Sequence, residues 1–158
     1  MGIFLFILQS VMFWNVENFF DFRNDSLSVS DAAFSSFGER RWTKRRFYAK
    51  CSAFAKAVLW IGSTEGGLPG VIGLAEVENG FVLRRALGAT ALSKAGYRIV
   101  HYDSPDPRGI DVALLYRSSV FSLVSSKAVR VDSLRTRDIL YVRLRKEADG
   151  EETDYFVC

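Results

Sequence analysis

Cysteine and histidine are scarce in this chain. Two cysteines among 158 residues, Cys51 and Cys158, supply neither a metal-binding spacing nor a disulfide framework. Cys51 falls in a helical pattern and reads as a small apolar residue. Histidine occurs once, at position 101, on a strand pattern that puts Tyr97, Ile99 and Asp103 on its face. It reads as a hydrogen-bonded strand residue near a sheet rim. No apolar run reaches the length that spans a membrane, and no internal repeat or low-complexity tract is visible. The net charge is only +3, a mild preference for polyanions that selects no partner.

What is present is a globular composition. Hydrophobic residues make up 49% and charged residues 25%, with 13 phenylalanines, enough for one domain with a core. The first ten residues, "MGIFLFILQS", are apolar but lack the basic start of a signal peptide and are too short for a span. Two readings stand for residues 1–10. As the remnant of an export signal they imply a secreted or periplasmic protein; as extra core they imply a cytoplasmic one.

The elements follow from period and punctuation. "VMFWNV" (11–16) reads as a strand, and residues 22–38 as a long loop. From Thr43, an N-cap, the spacing of Phe47, Cys51, Phe54, Ala55, Val58 and Leu59 predicts a helix, with Gly62 as its stop. "VIGLA" (71–75) reads as a short buried strand. Asn79 caps a helix through about Leu87, and a second short helix precedes Gly96. Strands follow at 97–103, 110–117 and, with a bend, 120–131. Asp149-Gly150 between "RDILYVRLRKE" and "ETDYFVC" predicts a hairpin. This order implies an α/β layered domain.

Two strands share one design. "VMFW" is followed by Asn15 and Glu17, and "VIGLA" by Glu76 and Glu78. Side chains alternate on a strand, so each i, i+2 pair is expected to share a face. If the strands are neighbours, the groups converge at one rim. Oxygen donors of this kind suit Mg²⁺, with Mn²⁺ or Ca²⁺ as alternatives, rather than zinc. The competing reading is a pair of solvated strand ends.

Other charges offer phosphate contacts. Arg108 in "RGID" has the fork that clamps a phosphate, and equally suits an exposed loop. Asp111 lies in an apolar strand and needs a partner, either an Arg or the site itself. "RRWTKRR" (40–46) gathers five basic residues around Trp42, including Arg45 and Arg46, a pattern for nucleic-acid backbone and base stacking. Cations at a helix start oppose its dipole, which favours an anionic neighbour such as a substrate phosphate or Glu39.

"FWNVENFFD", "GLAEVEN", "DSPDPRGIDVALLYR" and "TRDILYVRL", in this order from residue 13 to residue 144, resemble the endonuclease/exonuclease/phosphatase superfamily, closest to its bacterial branch with a "WNVEN" start. The resemblance implies a DNase I-like two-layer β-sandwich with flanking helices and a metal-dependent phosphoester hydrolase. Carried over by position, Asn15 matches the early Asn that orients metal-site and phosphate groups. Glu76 matches the Mg²⁺-binding Glu, and Glu17 falls where some members place a further acid. Gly109 occupies the approximate place of a catalytic Tyr in some DNA-repair members, so a close copy of those enzymes is not expected.

The family's Asn-x-His segment, Gly-Asp-Phe-Asn segment and final Asp-His pair have no counterpart here, and His101 matches neither essential histidine. The last strand stops at Cys158 without a turn or polar tail. The expectation is therefore that residues 11–158 are the N-terminal part of one domain, incomplete at its C-terminus and inactive alone, whose structural partner is the missing half. Its substrate is a phosphate ester, with nucleic acid among the candidates. The alternative is a non-catalytic nucleic-acid- or phospholipid-binding module that uses residues 40–46.

Overall fold

In the computed structural model, residues 10–23, 32–131 and 136–158 are described. Both readings of residues 1–10 therefore fall almost wholly outside the described residues. The element order is β1 (Val11–Phe19), α1 (Lys44–Thr64), β2 (Val71–Val77), α2 (Gly80–Gly88), a 3₁₀ turn (Ala91–Lys94), β3 (Tyr97–His101), β4 (Asp111–Arg117), β5 (Phe121–Val129), β6 (Ile139–Lys146) and β7 (Glu152–Val157).

Four strands form a mixed sheet in the order β1-β2-β4-β3, and three form a meander, β5-β6-β7. β1 and β2 are parallel, joined through α1, while β4 runs antiparallel to β2 and β3. β2 and β4 are almost wholly buried, which is why "VIGLA" and "VALL" read as continuous apolar runs. One face of the mixed sheet meets the helices. Phe47, Cys51, Phe54 and Val58 of α1 and Val82, Leu83 and Ala86 of α2 pack on Ile72, Leu74, Val77, Ala113 and Leu115. The other face meets the meander, where Val71, Ala75, Val112 and Leu114 pack on Leu140, Val142, Leu144 and Val157. The layers are helices, sheet and sheet, as the α/β sandwich expectation requires.

Local details bear out several sequence expectations. Thr43 caps α1 by accepting from the Arg46 N–H (3.4 Å), and Asn79 caps α2 by accepting from the Val82 N–H (3.1 Å). Cys51 is buried in α1, and burial pushes its thiol up to about 11. The hairpin closes with Gly150 at φ +74 and its N–H on the Lys146 carbonyl (2.8 Å). β5 is bent, with a register shift between Leu123 and Ser125.

Others need correction. α1 does not stop at Gly62 but runs to Thr64. A Cβ on Gly62 would lie 2.7 Å from Leu68 Cδ2, so this glycine makes room for a close neighbour rather than ending the helix. β1 extends to Phe19, beyond the predicted Val16, because a bulge lets it rejoin β2. Part of the long loop predicted at 22–38 lies outside the described residues. Its later part is tied by the Arg40 N–H to the Ala33 carbonyl (3.0 Å) and the Trp42 N–H to the Ser35 carbonyl (2.9 Å).

Candidate functional site

The rim of the mixed sheet is built by two irregularities that meet. Asn15 pairs with Ala75 and Phe19 with Val77, so β1 spends three residues where β2 spends one, Glu76. On the other side Ala75 pairs with Val112 and Val77 with Asp111, leaving Glu76 without an opposite number on β4. Glu76 adopts φ +65, and Glu17 and Asn18 adopt φ +54 and +58. Such left-handed conformations cost an L residue about 1–2 kcal/mol each. Bulges of this kind re-aim side chains at the ends of sheets.

The re-aiming is visible in the core. Ala75 packs against the meander and Val77 against the helices, although residues two apart in a regular strand share a face. Glu76, at the reversal, turns its carboxylate toward β1. Its Oε1 accepts from Asn15 Nδ2 (3.2 Å) and its Oε2 from the Asn18 N–H (3.0 Å). Asn15 Oδ1 accepts in turn from the Glu17 N–H (3.0 Å). Each carboxylate oxygen keeps a free lone pair, so this all-oxygen donor set fits a hard divalent cation.

Lys50 of α1 holds the left-handed pair in place. Its Nζ donates to the carbonyls of Glu17 (2.6 Å) and Asn18 (3.3 Å), between the rings of Phe19 and Trp42. Burial pulls its pKa down, against the opposing charges of Glu17 and Glu76. Trp42 is itself fixed by Nε1 on the Phe20 carbonyl (2.8 Å). The sequence reading did not single out Lys50, although a signal was there. It lies three residues after Phe47 and four before Phe54, inside the apolar stripe of α1, where a charge needs a reason.

The i, i+2 expectation fails at the second pair. Glu78 does not join Glu76 at the rim; it is buried, and its Oε2 accepts from the Asp21 N–H (2.7 Å). The bulge between the two glutamates reverses the alternation. Glu17 is brought near by its backbone, and its exposed side chain lines an open cavity of about 300 Å³ with Trp14, Asn15, Lys50 and Phe54. Trp14 and Phe54 stack in its wall, ring centres 5.7 Å apart.

Arg108 reaches the same rim in a committed state. Its Nε and Nη2 grip Asp106 (3.1 and 2.7 Å). The bond to Asp106 raises its pKa, and the Glu76 charge adds to the rise. Burial pushes the Asp106 carboxyl up, but the Arg108 hydrogen bonds and the charges of Arg108 and Arg137 outweigh this and hold it below the usual range. Asp111 is corrected in its partner. Its buried carboxylate takes the Ser104 N–H on Oδ1 (3.0 Å) and lies 3.2 Å from His101 Nε2 through Oδ2, with no arginine. With its side chain 6% exposed, it offers little surface to a substrate phosphate. Arg46 is occupied as well, donating Nη1 to the carbonyls of Arg40 (2.7 Å) and Arg41 (3.3 Å). Arg45 is exposed and makes no hydrogen bond or ion pair among the described residues.

No helix among the described residues is long and apolar enough to cross a membrane. No curated protein matches the sequence. Solved structures share the fold. The human Nocturnin catalytic domain with bound sulfate is 20% identical (TM-score 0.51), with 91% of this chain and 47% of that one covered. An endonuclease/exonuclease/phosphatase family protein from Bacteroides thetaiotaomicron is 14% identical (TM-score 0.53), with 94% and 49% covered. ANGEL2, a 2',3'-cyclic phosphatase, in complex with adenosine-2',3'-vanadate is 21% identical (TM-score 0.55), with 92% and 39% covered. The chain thus spans about half the length of these structures or less. The sequence profile of the Endonuclease/Exonuclease/phosphatase family matches residues 10–158. With that match over nearly its whole length, and with the sandwich fold and carboxylate-bearing rim described above, the chain belongs to the endonuclease/exonuclease/phosphatase family.

Proposed function

We propose that the rim is the metal-binding part of a divalent-cation-dependent phosphoester hydrolase, with Glu76 as the principal ligand for Mg²⁺, or for Mn²⁺ or Ca²⁺. The observation that carries this reading is the Glu76 carboxylate itself. It is displayed on a left-handed bulge and fixed through each oxygen by a different group of β1. A solvated strand end needs no such strain or anchoring.

A bound cation would neutralise the non-bridging phosphate oxygens and the charge that develops on them. Asn15 orients Glu76 by donating to Oε1, and the Asn18 N–H fixes Oε2. Lys50 holds the backbone that presents that N–H. Glu17, exposed beside them, is the second carboxylate within reach of the same ion. Arg108 supplies positive charge at the rim, shared with Asp106. Arg45, uncommitted near the start of α1, meets the backbone of a longer phosphate ester such as nucleic acid. The groups that activate water are proposed to come from the rest of a longer catalytic domain, since the chain covers about half of the structures it resembles. Turnover by this chain alone is therefore expected to be very low, and binding is the informative readout.

Calorimetric titration of the chain with Mg²⁺ and Mn²⁺ tests the assignment. Glu76→Gln keeps the size of the side chain but removes its charge, and should weaken binding at least tenfold. Glu17→Gln should weaken it less. Unchanged affinity in Glu76→Gln would remove the basis of the proposal.

A further inference from the structure

We propose a second cation site, separate from Glu76, made by His101, Asp103 and Asp111 and suited to a transition ion such as Mn²⁺, Fe²⁺, Co²⁺ or Zn²⁺. β3 and β4 bring the three together. His101 pairs with Ala113, which sets Asp103 and Asp111 at the two ends of the loop between the strands. One nitrogen of His101 and one oxygen from each carboxylate lie within 4.8 Å of one another.

The imidazole points to a ligand. The His101 side chain is 8% exposed, and its Nε2 has no hydrogen-bond partner among the described residues. That nitrogen lies 3.2 Å from Asp111 Oδ2 but outside hydrogen-bond geometry. A buried polar atom left unmatched is costly. Two donors bound to one ion at about 2.1 Å each, at roughly a right angle, stand about 3 Å apart. The observed separation accommodates a shared ion.

The surroundings are those of a ligand set. Asp111 Oδ1 accepts the Ser104 N–H (3.0 Å), which fixes the carboxylate and leaves Oδ2 for the ion. Asp103, with its side chain 88% exposed, lies 3.9 Å from Nδ1 through Oδ1. In the proposed site it turns from Nδ1 onto the ion, and its exposure gives the ion and its water ligands a way in. One nitrogen and two carboxylate oxygens favour a borderline transition ion over Mg²⁺ or Ca²⁺. The bound ion would clip the end of β3 to the start of β4. Asp111 pairs with Val77, the residue after Glu76, so the clip also sets one wall of the proposed catalytic rim.

His101 is the only histidine in the chain, so imidazole signals in a proton–nitrogen NMR spectrum are unambiguous. At neutral pH, Zn²⁺ should move the His101 ring resonances and saturate near one equivalent, while equimolar Mg²⁺ leaves them in place. Asp111→Asn should abolish the effect. The exposed Asp103→Asn, which leaves the core intact, should weaken Zn²⁺ at least tenfold. Glu76→Gln should leave it unchanged. Ring resonances indifferent to excess Zn²⁺, an equal response to Mg²⁺, unaltered affinity in Asp103→Asn, or loss of the effect in Glu76→Gln would each overturn the proposal.

Discussion

Replacing Glu76 with glycine and with alanine separates strain from bonding at the bulge. Both variants lose the two hydrogen bonds to the carboxylate, from Asn15 Nδ2 and the Asn18 N–H. The released donors lie at an exposed rim and can turn to water, so this loss is about 1–2 kcal/mol in total. The variants differ in the backbone. At φ +65 alanine retains a left-handed cost of about 1–2 kcal/mol, and glycine sheds it. Glycine in turn gives the unfolded chain more freedom, which takes back about 0.4–1 kcal/mol. Glu76→Gly should therefore be the more stable by about 0.5–1 kcal/mol. That reverses the usual order within a strand, where glycine is the worse residue by roughly 0.5–1 kcal/mol. Urea unfolding resolves the difference. With a slope of about 2 kcal/mol/M, the midpoints should differ by about 0.25–0.5 M. A Glu76→Ala midpoint equal to or above that of Glu76→Gly would refute the claim that the bulge stores strain.

Lys50→Met keeps an apolar stem but removes the ammonium from the carbonyls of Glu17 and Asn18. It should cost about 1–3 kcal/mol in urea unfolding and weaken Mg²⁺ binding although the carboxylate is untouched. Asp106→Asn should destabilise by about 1–3 kcal/mol near neutral pH by breaking the grip of Arg108. The folded Asp106 pKa is depressed, so its contribution is present above the unfolded value of 3.8 and is lost as pH falls through the folded value. Unfolding curves of wild type and variant should therefore converge in acid. Arg45→Ala should leave stability unchanged but reduce the salt slope of single-stranded nucleic-acid binding by roughly one phosphate contact. Arg46→Ala should instead lower the melting temperature, because its guanidinium ties the turn before α1; differential scanning calorimetry distinguishes the two.

Much of this architecture was legible in the residues. The apolar runs ending at Trp14 and Ala75 marked where two strands switch from apolar to polar side chains, and Asn15 and Glu76 at those ends do meet. The caps at Thr43 and Asn79 were readable because the capping oxygen is local. The bulges were not. A left-handed Glu has no composition cue, since glycine and asparagine are the usual markers of that conformation. The alternation rule, applied across an unseen bulge, therefore placed Glu78 at the rim when it is buried under Asp21. Asp111 was recognised as needing a partner, but its identity depends on the register of β3 on β4, which the loop between them sets. Gly62 was misread because a glycine that admits Leu68 looks the same in sequence as one that ends a helix.

The parallel pairing of β1 with β2 also orders events in folding. In the meander, Arg145 meets Glu152 across a separation of 7 residues, whereas Asn15 meets Glu76 across 61. Closing the longer span has the larger entropic cost, and such pairings form slowly. The meander hairpin is placed to form early and the β1–β2 ladder late, once α1 has bridged them. Asn15 and Glu76 arrive from opposite ends of that last closure. A partly folded chain that has lost only β1 therefore keeps most of its secondary structure and has no assembled Glu76 site. Mg²⁺ acting through that site would stabilise only the finished pairing, so it should slow unfolding and leave the earlier folding steps unchanged.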